Sequence, residues 1–292
     1  MSRLRLYVLT VFAATCVAAA FAAPAAAADS EILRKDKPSW YTAALHEKVQ
    51  KAGPEGVQIP AEELNTACPG FQAAGVSAAG CIVAPYGCTA NFIFTDGASL
   101  YVGTAGHCSN QTGESVTMQV DTTTITDVGT VARRTPHAAG DGIPGSDFAL
   151  IKLDPAVVER WGVNPAIPVV GGPNGVYGGC GPETVRHYGH GYGVAVAQGK
   201  PSAGLATNWF DHAYGWTGAG LPGDSGSPVV TTTGLAAGNF THLIVHTGFL
   251  GSNLAGMRAT SILDFAGVSL VNADGSVSDG PRSASCGTDP EW

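Results

Sequence analysis

Beyond residue 28 no segment of this 292-residue chain is apolar enough to span a bilayer, and only 13% of its residues are charged. The first absence argues against a membrane-embedded body. The second, beside 45% apolar residues, argues against disorder along the whole length. No Cys-x-x-Cys pair occurs. The one His-x-x-x-His, His242 to His246, falls in a stretch that reads as a strand; four residues there span about 13 Å, too far for both rings to reach one ion. No metal and no cofactor is expected. There is no internal repeat and no long helical period.

What is present begins with an exported leader. Residues 1–28 carry Arg3 and Arg5, an apolar run from Leu6 through Phe21, and a small-residue stretch ending at Ala28, the three regions of a secretory signal peptide. Its removal leaves 13 basic against 23 acidic residues, a charge of −10, which argues against nucleic acid or an anionic membrane as partner. Cys16 leaves with the leader, and Cys68, Cys81, Cys88, Cys108, Cys180 and Cys286 remain. An even number in a secreted, extracellular chain reads as a disulfide framework, with 15 pairings open.

Residues 29–66 are the most charged part of the chain and include a helix-like stretch, Ser39 to Gln50, between Pro38-Ser39 and Gly53-Pro54. Composition changes after Cys68, so 29–66 reads as a pro-segment, making the product a zymogen, or as an N-terminal extension; the alternative is an ordered first element of the main domain. From residue 67 to 292 short apolar runs rich in β-branched and aromatic residues alternate with Gly, Pro, Asn and Asp. Runs on either side of Asp96-Gly97 predict a β-hairpin. Others fall at Ser115 to Val120, Thr130 to Arg133, Phe148 to Leu153, Val185 to Tyr188, Gly193 to Ala197, Pro228 to Thr232 and Leu243 to Phe249. This spacing predicts an all-β sandwich or barrel. Two short helices are expected, about Pro155 to Trp161 and Ser261 to Ala266. The Pro/Gly-rich stretch Pro165 to Tyr177 divides the region into halves of about 67–170 and 178–275, followed by a C-terminal tail.

Three local sequences carry chemistry. TAGHC presents His107 just past a strand, SDFALIKLD presents Asp147 just before one, and GDSGSP presents Ser225 among glycines. A base, its orienter and a nucleophile in that order form a triad. TAGHC, SDFALIKLD and GDSGSP resemble the signature segments of the chymotrypsin-like serine peptidases of the secreted bacterial type, over about Cys88 to Val271. The resemblance implies two antiparallel β-barrels with the active site in the cleft between them, and an acyl-enzyme mechanism. It also implies an oxyanion hole from the amides of Gly223 and Ser225, and a buried, ion-paired Asp224 with Arg186 as its candidate partner. Finally, it implies a disulfide between Cys88 and Cys108.

Six residues before the serine, where trypsin-like members carry an acid, stands Ala219, and Leu221 replaces a cysteine common in the family. Leu243 to Gly248 resembles the pocket-wall strand of glutamyl endopeptidases, which makes His246 a substrate-binding candidate and Glu or Asp the expected residue at the cleaved position. The expected partner is a protein or peptide substrate, met by a monomer. A catalytically inactive binding module on the same fold, or a secreted esterase, are the rival readings.

Overall fold

The computed structural model describes residues 30–32, 35–68, 74–135, 144–191, 201–244, 251–281 and 284–289. They form two curled antiparallel sheets, the all-β, two-barrel arrangement that the resemblance implies, and one short parallel pair, Val76–Ser77 with Val163–Asn164. The first sheet runs, by hydrogen-bonded neighbours, from Lys35–Asp36 through Tyr86–Thr89, Cys81–Ala84, Ser115–Gln119, Thr124–Arg134, Ala149–Leu153 and Leu100–Thr104 to Ile93–Thr95. There Ser269–Val271 joins it from the far end of the chain. The hairpin at Asp96-Gly97 is present: Phe94 pairs with Tyr101, and the Asp96 carboxylate accepts from the amides of Ala98 and Ser99 and from the Tyr101 hydroxyl.

The second sheet runs in the order Ser30–Ile32, His242–Ile244, Leu254–Met257, Ala213–Trp216, Pro201–Trp209, Glu183–Tyr188, Pro228–Thr231, Ala236–Asn239. Several of its strands are poor in β-formers: Ala213–Trp216 reads AYGW, Ala236–Asn239 reads AAGN and Leu254–Met257 reads LAGM. The small residues have a packing reason. A Cβ on Gly256 would collide with the Asn239 carbonyl, and one on Gly238 with the Met257 carbonyl and the Tyr214 ring. The strands therefore approach closely and leave the interior to large rings. Trp209, Tyr214 and Trp216 stack in series at 5.1 Å, and Phe240 meets Trp216 edge-on at 5.1 Å.

Each sheet has its own apolar core. A third cluster brings Phe92, Phe94 and Phe148 of the first sheet together with Tyr188 and Val230 of the second and Ile262 of the helix Ala259–Ala266, fixing the two halves to each other. Both short helices expected from the sequence form. Pro155–Trp161 is capped by Asp154, whose carboxylate accepts from the Ala156 amide, and Ala259–Ala266 ends on a left-handed Gly267.

The charged N-terminal stretch is divided in its contacts. Its helix starts later than the sequence pattern suggests, at Ala43–Ala52, because Thr42 rather than Ser39 supplies the cap to the Leu45 amide. Tyr41, Val49, Val57, Ile59, Leu64 and Cys68 are buried with Cys81, Val83 and Ile125 of the first sheet. The Tyr41 hydroxyl lies 2.8 Å from that of Thr117, and Val57–Gln58 pairs with the strand Thr124–Arg134. Residues 30–36 contribute only short strands at two sheet edges. Three disulfides, Cys68–Cys81, Cys88–Cys108 and Cys180–Cys286, account for all six remaining cysteines. The second is the one the resemblance implies. Of the predicted strands, Gly193 to Ala197 lies outside the described residues, as does Leu243 to Phe249 beyond Ile244.

Candidate active site

His107 sits in the tight turn Gly106–Cys108 that follows the strand Leu100–Thr104, and Asp147 precedes the strand Ala149–Leu153 by two residues. These strands pair antiparallel with Ala149 opposite Thr104. The register delivers both side chains to the same end of the sheet. The His107 amide donates to Asp147 Oδ1 at 2.9 Å, and His107 Nδ1 lies 2.6 Å from Asp147 Oδ2. Both residues are buried. Burial alone would raise the Asp147 pKa, but the imidazole's charge and its hydrogen bonds outweigh that and hold the carboxyl below its usual range. An ionised Asp147 fixes the Nδ1–H tautomer and leaves Nε2 as the basic nitrogen. His107 Nε2 has no hydrogen-bond partner among the described residues and no appreciable solvent contact.

The turn itself is held from a third side. Arg134 donates to the carbonyls of Asn110 at 2.6 Å, Ser109 at 3.1 Å and Gly106 at 3.4 Å. The disulfide Cys88–Cys108 anchors the residue after His107. Cys88, His107 and Cys108 present N and S atoms within 4.8 Å of one another, but the two sulfurs are bonded together and are not thiolate ligands.

Ser225 comes from the second sheet, in the turn before the strand Pro228–Thr231. Two positive-φ glycines frame it, Gly223 at +99° and Gly226 at +90°, a conformation that L side chains resist. Gly226 is required for a second reason, since a Cβ there would strike the Thr89 carbonyl and the Thr104 hydroxyl. Contact with the first sheet is direct. The Thr89 amide donates to the Ser225 carbonyl at 2.9 Å, the Thr89 hydroxyl donates to the Gly223 carbonyl at 2.8 Å, and the Cys108 Sγ lies 3.8 Å from the Ser225 carbonyl. The serine turn is thus pinned against the two segments that the Cys88–Cys108 bridge joins beside His107. Ser225 is completely buried. Gly223 is buried, and its amide donates to no acceptor among the described residues. An unpaired buried donor costs about 1–3 kcal/mol unless an acceptor takes it.

Asp224 departs from expectation. It is buried, but Arg186 is not its partner: along the strand Glu183–Tyr188, Val185 and His187 face inward while Arg186 faces solvent. The Asp224 carboxylate instead accepts from the amides of Gly191 at 2.6 Å and Leu221 at 2.9 Å. Burial raises its pKa, countered in part by His187 and by those two amides. Gly189 and Gly191 pack so tightly on this carboxylate that a Cβ on either would collide with it. His187 Nε2 in turn lies 2.8 Å from the carbonyl of Ala219, which is exposed. His246 lies outside the described residues.

Sequence reasoning placed no chemistry on Thr89, Arg134 or His242. His242 Nδ1 lies 2.6 Å from the Thr241 hydroxyl and 3.7 Å from Asp147 Oδ2, with its ring 6.3 Å from that of His107. Burial lowers its pKa to about 4, against the pull of Asp147 and with the repulsion of His107. His242 is therefore neutral at pH 7. Below pH 6.5 the unfolded chain takes up a proton here that the folded chain refuses until about pH 4. Stability from this group is accordingly full above pH 6.5 and falls by about 3 kcal/mol on the way to pH 4. Urea unfolding at pH 7 and pH 4.5 checks this: His242→Gln is expected to lose less stability across that interval than the parent chain, and equal losses would contradict it.

No family model matches the chain, and no curated protein matches it. Similar solved structures are serine proteases. Thermobifida fusca protease A is 20% identical, with a TM-score of 0.46, covering 68% of this chain and 98% of that one. A glutamic-acid-specific serine protease that uses a histidine triad in substrate binding is 19% identical, with a TM-score of 0.44, covering 66% and 98%. A Glu endopeptidase solved in complex with MPD is 18% identical, with a TM-score of 0.43, covering 62% and 83%. The chemistry of the site rests on its own geometry.

Proposed function

We propose that this chain is a secreted serine endopeptidase that hydrolyses peptide bonds through an acyl-enzyme. Ser225 attacks the scissile carbonyl carbon, and His107 takes the hydroxyl proton on Nε2 and returns it to the leaving amine. Asp147 holds the tautomer and stabilises the imidazolium, and the amides of Gly223 and Ser225 receive the oxyanion. Water then repeats the sequence on the ester and releases the acid. The observation that carries the reading is the buried His107–Asp147 pair, bonded twice, with Nε2 unclaimed and Ser225 pinned beside the same turn. Export accords with three disulfides, which persist in oxidising compartments.

The test is hydrolysis of denatured protein by the secreted chain, compared with peptide and ester model substrates. Turnover of esters alone would favour an esterase, and no turnover of either by a chain with a free site would favour a binding module. For specificity we propose cleavage after Glu or Asp, supported by the neutral Ala219 where a basic-specific pocket would need an acid, and by His246. A peptide-library profile should then be dominated by acidic residues at the cleaved position; basic or large apolar residues there would reject it.

A further inference from the structure

The strand Ala236–Asn239 reads AAGN and is buried throughout. Asparagine is a poor strand former, and a buried carboxamide is unfavourable unless its donor and its acceptor are both taken. In Asn239 both are. Its Oδ1 accepts from the Met257 amide at 2.9 Å, and its Nδ2 donates to the Asp147 carbonyl at 2.9 Å. A main-chain amide can only donate and a carbonyl can only accept, so these partners fix which end of the carboxamide faces which.

The bond to Met257 stays within the second barrel. The bond to Asp147 crosses to the first barrel and ends on a member of the candidate triad. The backbone that carries the carboxamide has little room to shift. A Cβ on Gly256 would strike the Asn239 carbonyl, one on Gly238 would strike the Met257 carbonyl, and the Asn239 carbonyl also accepts from the Tyr214 hydroxyl at 3.0 Å.

On the other side, the peptide group that joins Asp147 to Phe148 is held at both ends. Its N–H donates at 3.1 Å to the hydroxyl of Thr135, just past the strand Thr124–Arg134, and its C=O accepts from Asn239. Asp147 is therefore fixed twice: its main chain by Thr135 and Asn239, and its carboxylate by His107.

The residue after Asn239 serves the serine. The Phe240 carbonyl accepts from the Gly226 amide at 2.6 Å, and the Phe240 amide donates to the Ser227 carbonyl at 2.9 Å. One stretch of chain thus grips Asp147 with a side chain and the turn of Ser225 with the next backbone groups.

We propose that Asn239 is a positioning residue for the reaction: its carboxamide sets the His107–Asp147 pair, built on the first barrel, against Ser225, built on the second. This rests on the peptidase reading above, so one readout of the test does not depend on catalysis. Asn239→Leu keeps the branched shape and removes both bonds. Asn239→Ala is the second variant, in case leucine prevents folding.

kcat and KM are measured per folded chain. In a Ser225→Ala background, where no chain digests another, NMR follows the downfield proton of the 2.6 Å bond between His107 Nδ1 and Asp147. Since a 1 Å misplacement can cost about a hundredfold, kcat is expected to fall by about tenfold to a hundredfold. KM should change little, and the proton resonance should move upfield. A kcat within about threefold of the parent, or a resonance that keeps its position in a folded variant, overturns the positioning role. Failure of both variants to fold overturns it as well, by making Asn239 a structural residue. No turnover by the parent would overturn the peptidase reading instead, and the resonance would still decide whether Asn239 holds Asp147.

Discussion

Replacing Ser225 with alanine is expected to lower kcat for peptide hydrolysis by about a million-fold while leaving the fold intact. The turn that carries Ser225 is held by main-chain groups. Thr89 donates to the Ser225 carbonyl, Gly226 donates to the Phe240 carbonyl, and Ser227 donates to the Asp224 carbonyl. None of these needs the hydroxyl. His107→Ala should cost about as much, and the double variant little more, because the two groups act as one unit. Single-turnover kinetics, with circular dichroism to verify folding, check this. A loss below a hundredfold for either single variant would place the nucleophile or the base elsewhere.

Asp147→Asn is expected to reduce kcat by about 10,000-fold, and the geometry says why. Asp147 accepts twice from His107, from the backbone amide on Oδ1 and from Nδ1 on Oδ2. Asparagine offers one oxygen and one NH2 group. The backbone amide can only donate, so the oxygen is taken there and the NH2 faces Nδ1. His107 must then accept at Nδ1 and carry its proton on Nε2, the nitrogen that should remove the serine proton. The side chain's place is otherwise kept, since Asn239 bonds the Asp147 carbonyl and not its carboxylate. KM should therefore change far less than kcat. Steady-state kinetics measure both, and a kcat within tenfold of the parent would show that Asp147 does not set the tautomer.

Ser225, His107 and Asp147 are legible in the amino-acid sequence because each stands in a short segment whose chemistry is local: a histidine after a strand, an aspartate before one, a serine among glycines. The hairpin at Asp96-Gly97 and the helix Pro155–Trp161 are legible for the same reason. The second barrel is only half legible. Its Ala- and Gly-rich strands carry little β-propensity, and their small residues answer to neighbouring backbones and stacked rings that no local window contains. Arg186 misleads because charge suggests an ion pair for Asp224, whereas strand alternation sends Arg186 outward and His187 inward. That alternation is in the sequence, but the amides of Gly191 and Leu221 that take the carboxylate are not. Thr89, Arg134 and His242 act on the site through contacts made across the fold. The strand Ser30–Ile32 is invisible to sequence reading for a related reason: Ile32 meets His242 across most of the chain's length, and so short a strand bears no pattern of its own.

Labelling of the secreted chain by a fluorophosphonate, followed by peptide mapping, tests the central claim most directly. The account expects one modified residue, Ser225, within the peptide containing GDSGSP, and no modification in His107→Ala. Modification of a different serine, or none at all, would contradict it.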